Sequence, residues 1–276
     1  MAVSENETQC WMCGSPADSA EHKFKKADLV RAHGKGPYKG DRALALVVAG
    51  SQKLIRGSNS NALKYAKNLC SNCNNARSQP WDRAYDQLID WVFGNEAEVL
   101  SKRFIDFSSV FGADFEDSQR NVYKYYAKSF GCRLVDAGHS VPVDVLQLFD
   151  LEHFQTALRI TFSVNEDVLI LPKESRDGFI GQSDLYAWLE RTRPEQVNGY
   201  QSNEHVSWFT AHFWYGVNHD GACGSSWLAD KQLVYLGSTK PLTPEQREEA
   251  KSRAAATWQA PSLDNFFAEA GVNCPR

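Results

Sequence analysis

No apolar stretch in this chain of 276 residues approaches the ~18 residues that a membrane-crossing helix needs. The opening segment, "MAVSENETQCWMCG", has neither a basic flank nor an apolar core, which argues against a secretory signal. Internal repeats and low-complexity tracts are missing as well. Seven cysteines, an odd number, do not make a disulfide framework where no secretion signal is seen. These absences point to a soluble, cytoplasmic protein. Acidic residues are scarce in one place only. From Lys23 to Arg77 there are twelve Lys and Arg, opposed by Asp28 and Asp41 alone. That local excess of +10, in a chain of net charge −4, leaves −14 for the remainder. A basic segment on an otherwise acidic chain reads as a face for a polyanion; the plainer reading is a solvated, lysine-rich loop.

Hydrophobic residues make up 42% of the chain and aromatic residues 12%, enough for a folded core. Residues 8–80 show little helical periodicity. Within them "ALALVV" (43–48) and "LKYAKNL" (63–69) read as strands, and "HGKGPYKGD" and "RGSNSN" as loops. Trp81, Ala84, Tyr85, Leu88, Ile89, Val92 and Phe93 then follow helical spacing up to Gly94. A second helix is predicted through "SQRNVYKYYAKSF", ending at Gly131, with Val122, Tyr126 and Phe130 on one face. Past residue 150 the texture is mixed. "ALRITFSV" and "DVLILP" suggest a hairpin, "HVSWFTAHFWYGV" a central strand, "KQLVYLG" another strand, and "SDLYAWLERTR" a helix capped by Ser183. "TPEQREEAKSRAAATW" is a helix with Thr243 as cap, Pro244 at its first position and Gln246 completing a capping box. The expected organisation is α+β: a small metal-centred module over 8–93, a helical connection over 94–150 and a mixed α+β C-terminal domain over 151–276.

The module rests on two C-x-x-C pairs, Cys10/Cys13 and Cys70/Cys73, with 56 residues between them. Four thiolates suit a tetrahedral zinc ion, each short pair holding two corners. A site filled by four cysteines has no open position, so this zinc is structural and chemistry has to lie elsewhere. Redox thiols and unligated cysteines are the alternatives.

Together, Cys10-Trp11-Met12-Cys13, Glu21-His22 and "LCSNCNNARS" (69–78) resemble the zinc-bearing branch of the HNH endonucleases. The resemblance covers about residues 8–93 and implies a ββα-metal, treble-clef-like core that cuts nucleic acid, DNA in preference to RNA. It implies His22 as general base, Glu21 and Asn74 as ligands of a catalytic Mg²⁺ or Mn²⁺, and Arg77 steadying a phosphate. The chemistry is consistent with that: a neutral imidazole accepts a proton near working pH, and carboxylate and amide oxygens are hard ligands. Asn75 is an alternative to Asn74. Where the family pattern has an asparagine five residues before the third cysteine, this chain has Tyr65, with Asn61 and Asn68 nearby. The long 22–70 loop implies an insertion. Such architectures belong to phage and phage-defence nucleases.

Lys23, Lys25, Lys26, Arg31, Lys35 and Arg77 are the expected nucleic-acid contacts. Asp82, Asp86 and Asp90, spaced i, i+4, i+8, read as salt-bridge partners more readily than as a second metal site, and Asp82 could orient Arg77. His33 reads as a loop histidine, and His205 and His212 as core residues. "HFWYG" (212–216) reads as base-stacking rings or as a buried strand. His219, Asp220 and Cys223 form a loose cluster. Two readings that compete with the nuclease are a zinc-stabilised nucleic-acid-binding module without catalysis and a partner-binding scaffold. A homodimer or a regulatory partner engaged through the C-terminal domain is compatible with all three.

Overall fold

The computed structural model describes residues 8–48, 51–150, 156–190, 193–216 and 231–256. After the first cysteine pair comes α1 (Lys26–His33), then a hairpin of β1 (Leu44–Val48) and β2 (Ser51–Ile55) in register from Leu44–Ile55 to Val48–Ser51. A π-helical turn over Asn72–Ala76 leads into α2 (Gln79–Gly94), followed by α3 (Glu96–Lys102), β3 (Phe104–Asp106), α4 (Phe107–Phe111), α5 (Phe115–Asp136) and α6 (Val143–Gln147). The last part holds β4 (Leu158–Asn165), α7 (Glu166–Leu169), α8 (Lys173–Asp177), β5 (Ile180–Gln182) and β6 (Tyr186–Glu190). It ends with β7 (Arg193–Val206), β8 (Phe209–Gly216), β9 (Leu233–Thr239) and α9 (Pro244–Ala256). None of the described helices is long and apolar enough to cross a membrane.

Seven strands form one sheet in the order β3-β9-β4-β8-β7, with β5 and β6 both paired to the outer edge of the long β7. Only the β4–β9 pair is parallel. Helix α5 lies between this sheet and α2. Every residue from Tyr125 to Leu134 is buried, as expected for a helix covered on all sides. Tyr126 packs on Phe162 and Phe213, Phe130 stacks on Phe213, and Tyr125 stacks on Tyr85 of α2 with centroids 3.9 Å apart. One continuous core runs from Cys10 and Met12 through α2 and α5 to β4, β8 and β9. The cysteine-bearing segment is therefore packed onto the body of the protein.

Several predicted elements stand. The stripe from Trp81 to Val92 is the buried face of α2, and the Thr243/Gln246 capping box opens α9 with reciprocal bonds of 2.9 and 3.3 Å. Others are corrected. "DVLILP" does not return as a strand: both edges of β4 are taken by β8 and β9, and Asn165 caps α7 by accepting from the N–H groups of Asp167 and Val168. "SDLYAWLERTR" is not a helix but contains β6, because β7 offers an open edge and Trp188 stacks on Trp214 of β8. "HVSWFTAHFWYGV" is two strands, turned at Ser207 (φ 52°) and Trp208. "LKYAKNL" makes only single bridges, Lys64 to His22 and Leu69 to Ser19.

Gly131 does not stop α5; it lies mid-helix against the Trp11 ring, where a Cβ would sit 2.6 Å from the indole. We expect Gly131→Leu to lower stability by about 1–3 kcal/mol through overpacking. Gly94→Ala, with nothing within 4 Å of the added carbon, should not. Urea unfolding of the two variants checks this.

Candidate metal and active site

The first cysteine pair sits in a tight knuckle. The Cys10 carbonyl accepts from Gly14 N–H at 2.8 Å, and Gly14 takes φ 76°, a conformation that favours glycine. Trp11 N–H donates to the Asn68 carbonyl at 3.1 Å, and Asp18 accepts from Ser71 N–H at 2.6 Å and from its hydroxyl at 3.0 Å. These bonds lay the first knuckle against the second. The four sulfurs of Cys10, Cys13, Cys70 and Cys73 lie within 4.8 Å of one another, with Cys13 and Cys70 Sγ 3.6 Å apart. A tetrahedron with metal–sulfur bonds of about 2.3 Å has edges of about 3.8 Å, so the tetrad fits one zinc-sized ion. Burial pushes the Cys10 and Cys73 thiols up, whereas hydrogen bonds from Ser15 pull Cys13 down to about 6. A divalent cation would hold all four as thiolates.

From this staple the chain runs through Ser19 to His22 beside the 63–69 segment. Tyr65 N–H donates to the Glu21 carbonyl at 2.9 Å, and Lys23 N–H to the Leu63 carbonyl at 2.7 Å. Burial draws the His22 imidazole below its ordinary value; Glu21 opposes this, while Lys64 and Lys26 add to it. The Ser58 backbone partly offsets the effect of burial, and Nε2 is buried with no hydrogen-bond partner. Burial thus favours the neutral ring, and Nε2 is left unengaged, the state in which imidazole accepts a proton.

Asn74, in the π-helical turn, donates through Nδ2 to Ser19 Oγ at 2.9 Å, while its Oδ1 is buried without a partner. Asn75 is exposed and bonds the Ser71 carbonyl; of the two, only Asn74 turns an amide oxygen inward. Asn68, near the position where the family pattern has its asparagine, is 1% exposed and donates to the Cys132 carbonyl at 3.2 Å. It ties the second knuckle to α5.

Glu21 is not an open ligand. Its Oε1 accepts from His22 N–H at 2.9 Å, and its Oε2 is 2.6 Å from Nζ of Lys128 on α5. Lys128 is 2% exposed, lies 3.3 Å from Ser78 Oγ and faces Asp82 at 3.8 Å. Burial works against its charge, but Glu21 and Asp82 outweigh burial and hold it above the ordinary lysine value. A divalent ion about 2.1 Å from the same carboxylate would lie about 4 Å from the ammonium. The two would repel by roughly 8 kcal/mol at an effective dielectric near 20. The Asn74 oxygen suits the Mg²⁺ or Mn²⁺ implied by the resemblance, but Glu21 in this arrangement does not.

The expected polyanion face is also altered. Lys23 pairs with Asp136 at 3.5 Å, Lys25 with Asp82 at 2.6 Å and Asp86 at 3.7 Å, and Arg31 with Asp90 at 2.7 Å and with Asp28. Arg77 pairs with Asp150, not with Asp82. Acidic residues from elsewhere in the chain thus meet four of the twelve basic residues, and the aspartate row of α2 supplies salt-bridge partners. Among the described residues, the other eight basic residues of the stretch, Lys26, Lys35, Lys39, Arg42, Lys53, Arg56, Lys64 and Lys67, have no ion pair, and Lys26 and Lys35 are exposed. His33 ends α1 and packs against Tyr38. His205 stacks on Phe179 at 4.5 Å, and His212 Nε2 is 2.7 Å from Ser163 Oγ. Burial lowers both of these rings to about 4, so they are core histidines. "HFWYG" lies in β8, where four of its five residues are buried. His219, Asp220, Cys223 and Cys274 fall outside the described residues.

Lys128 and Ser78 are the site residues that sequence reasoning missed. A lysine at i+3 from Tyr125 and i−4 from Cys132, inside a helix of buried aromatics, was the available signal. Comparison with protein families, curated proteins and solved structures gives no match for this chain.

Two outcomes are expected. The purified protein should carry about one zinc per chain, lost in Cys73→Ser and kept in Cys132→Ser, whose buried thiol is not one of the tetrad; elemental analysis reads both. His205 and His212 are near 4 when folded and 6.5 ordinarily, so the unfolded chain binds more protons between these values. Stability should be full above pH 6.5 and decline as pH falls toward 4. Urea unfolding across that window, with a flatter slope in the His205→Phe/His212→Gln double variant, measures it.

Proposed function

We propose that this protein hydrolyses phosphodiester bonds of nucleic acid, DNA in preference to RNA, as an endonuclease similar to the HNH family, with His22 as the general base. The observation that carries this reading is the half-buried His22 ring, whose pKa burial lowers. Its Nε2 has no partner, and two lysines free of ion pairs, Lys26 and Lys64, lie near enough to influence it. In the reaction, Nε2 takes a proton from water as the water oxygen bonds to phosphorus. The phosphorus–O3′ bond breaks, the 3′ oxygen is protonated by solvent, and 5′-phosphate and 3′-hydroxyl ends result. Lys26 and Lys64 offset the charge of the phosphate, a role that falls to them because Lys25, Arg31 and Arg77 are paired within the chain. The zinc tetrad has a structural part: it holds the His22 segment to the turn bearing Asn74. Beside the site, Lys23 and Phe24 open onto a groove of about 460 Å³ walled by Val47 and Tyr186, within the range of pockets that take small organic groups such as a base. One such site cuts one strand, so a monomer nicks and a dimer breaks a duplex.

The pairing of Glu21 with Lys128 favours, as a second reading, a module that binds nucleic acid without cutting it. Plasmid nicking, with and without Mg²⁺ or Mn²⁺, separates the two. The expected result is nicking by the wild type and a loss of about 10²–10⁴-fold in His22→Ala. Intact plasmid in every condition, with DNA still bound, would select the binding module. Lys26→Ala and Lys64→Ala should each reduce the slope of log affinity against log salt by about 1, whereas Arg77→Ala should leave it unchanged. Binding isotherms at several salt concentrations give these slopes.

A further inference from the structure

A buried ammonium stands where the resemblance expects an open metal ligand. Nζ of Lys128 lies 2.6 Å from Glu21 Oε2, 3.3 Å from Ser78 Oγ and 3.8 Å from Asp82 Oδ2, on a side chain 2% exposed. Ser78 Oγ in turn donates to the Asn74 carbonyl at 3.0 Å and lies 3.2 Å from Asp82 Oδ2. The ammonium thus holds the Glu21 carboxylate directly, and through the Ser78 hydroxyl it reaches only the backbone carbonyl of Asn74, not its amide side chain. An ammonium has three donors and no acceptor, so two carboxylates and a hydroxyl suit it, and its seclusion from water fixes it there. Lys25 completes the balance on the outer side: its ammonium pairs with Asp82 and Asp86 and lies over the rings of Tyr85 and Tyr125.

We propose that Lys128 is the resident cation of this site: its ammonium, in place of Mg²⁺ or Mn²⁺, neutralises Glu21, and a divalent ion binds that carboxylate only when Lys128 is removed. Lys128 is too deeply buried to touch a phosphate, so it is a positioning residue. It fixes Glu21, and through Glu21 the backbone N–H of His22. The catalytic consequence, cleavage that needs no divalent ion, rests on the phosphodiesterase reading. The metal-binding consequence does not.

The test is a Mn²⁺ titration of the full, zinc-loaded chain followed by electron paramagnetic resonance, with plasmid nicking in parallel. The wild type should show no Mn²⁺ site that depends on Glu21. Lys128→Gln should gain one, at least about tenfold tighter than anything in the wild type, and Lys128→Gln/Glu21→Gln should lose it again. A wild-type Mn²⁺ site abolished by Glu21→Gln would overturn the proposal, and this comparison stands even if Lys128 variants do not fold. A folded Lys128→Gln that gains no Mn²⁺ overturns it equally. If the Mn²⁺ results come out as expected but no form of the chain nicks DNA, the phosphodiesterase reading fails and the assignment of Lys128 survives. Nicking that requires Mg²⁺ and is lost in Glu21→Gln does the reverse.

Discussion

An ammonium taken out of water must bring its counter-charges with it, and in this protein that requirement shapes the whole N-terminal half. Lys128 sits in the most enclosed part of α5, so Glu21 and Asp82 have to meet it from two other segments. Breaking such a buried pair by removing one partner costs about 3–5 kcal/mol, because the remaining charge is stranded. The pairing therefore dictates where the 21–25 segment and α2 lie against α5. It extends outward as an alternating row, Glu21, Lys128, Asp82, Lys25 and Asp86. Each charge in that row is satisfied by a neighbour from a different stretch of chain.

Local charge misleads at the four paired residues of the twelve, Lys23, Lys25, Arg31 and Arg77. The sequence shows twelve basic residues against two acidic ones in one stretch, and a one-dimensional count cannot reveal that Asp82, Asp86, Asp90 and Asp136 fold back onto it. Elements fared according to how locally they are determined. Helix α2 was legible because its apolar stripe repeats at helical spacing, and α9 because a capping box is complete within four residues. The stretch forming β6 was misread because its partner, β7, decides its conformation, and nothing in "SDLYAWLERTR" announces an open strand edge. Gly131 was taken for a stop signal, whereas its lack of a side chain makes room for Trp11, a residue 120 positions earlier in the sequence.

The candidate site was legible to a similar degree. The four cysteines were readable from spacing, and the structure gathers their sulfurs. Cysteine-to-cysteine geometry tolerates any intervening sequence that can loop out. His22 and Asn74 were named from motif resemblance, and each carries an atom that the fold leaves buried and unpartnered. Thr161 Oγ1 and Ser202 Oγ in the sheet share that condition, so it is the motif, together with the unpartnered atom, that singles out His22 and Asn74. Lys128 escaped notice because its importance depends on a contact across 107 residues, which no local pattern encodes.

The bridge between His22 and Lys64 has a further consequence. The 41 residues between them leave and re-enter the body of the protein at one spot, and they include α1 and the largely exposed β1–β2 hairpin. A closed excursion of this kind adds entropy only logarithmically with its length. Its hairpin tip can therefore be lengthened, trimmed or exchanged in the course of descent while the anchored ends keep their places, so that tip is the natural ground for divergence in what the protein recognises.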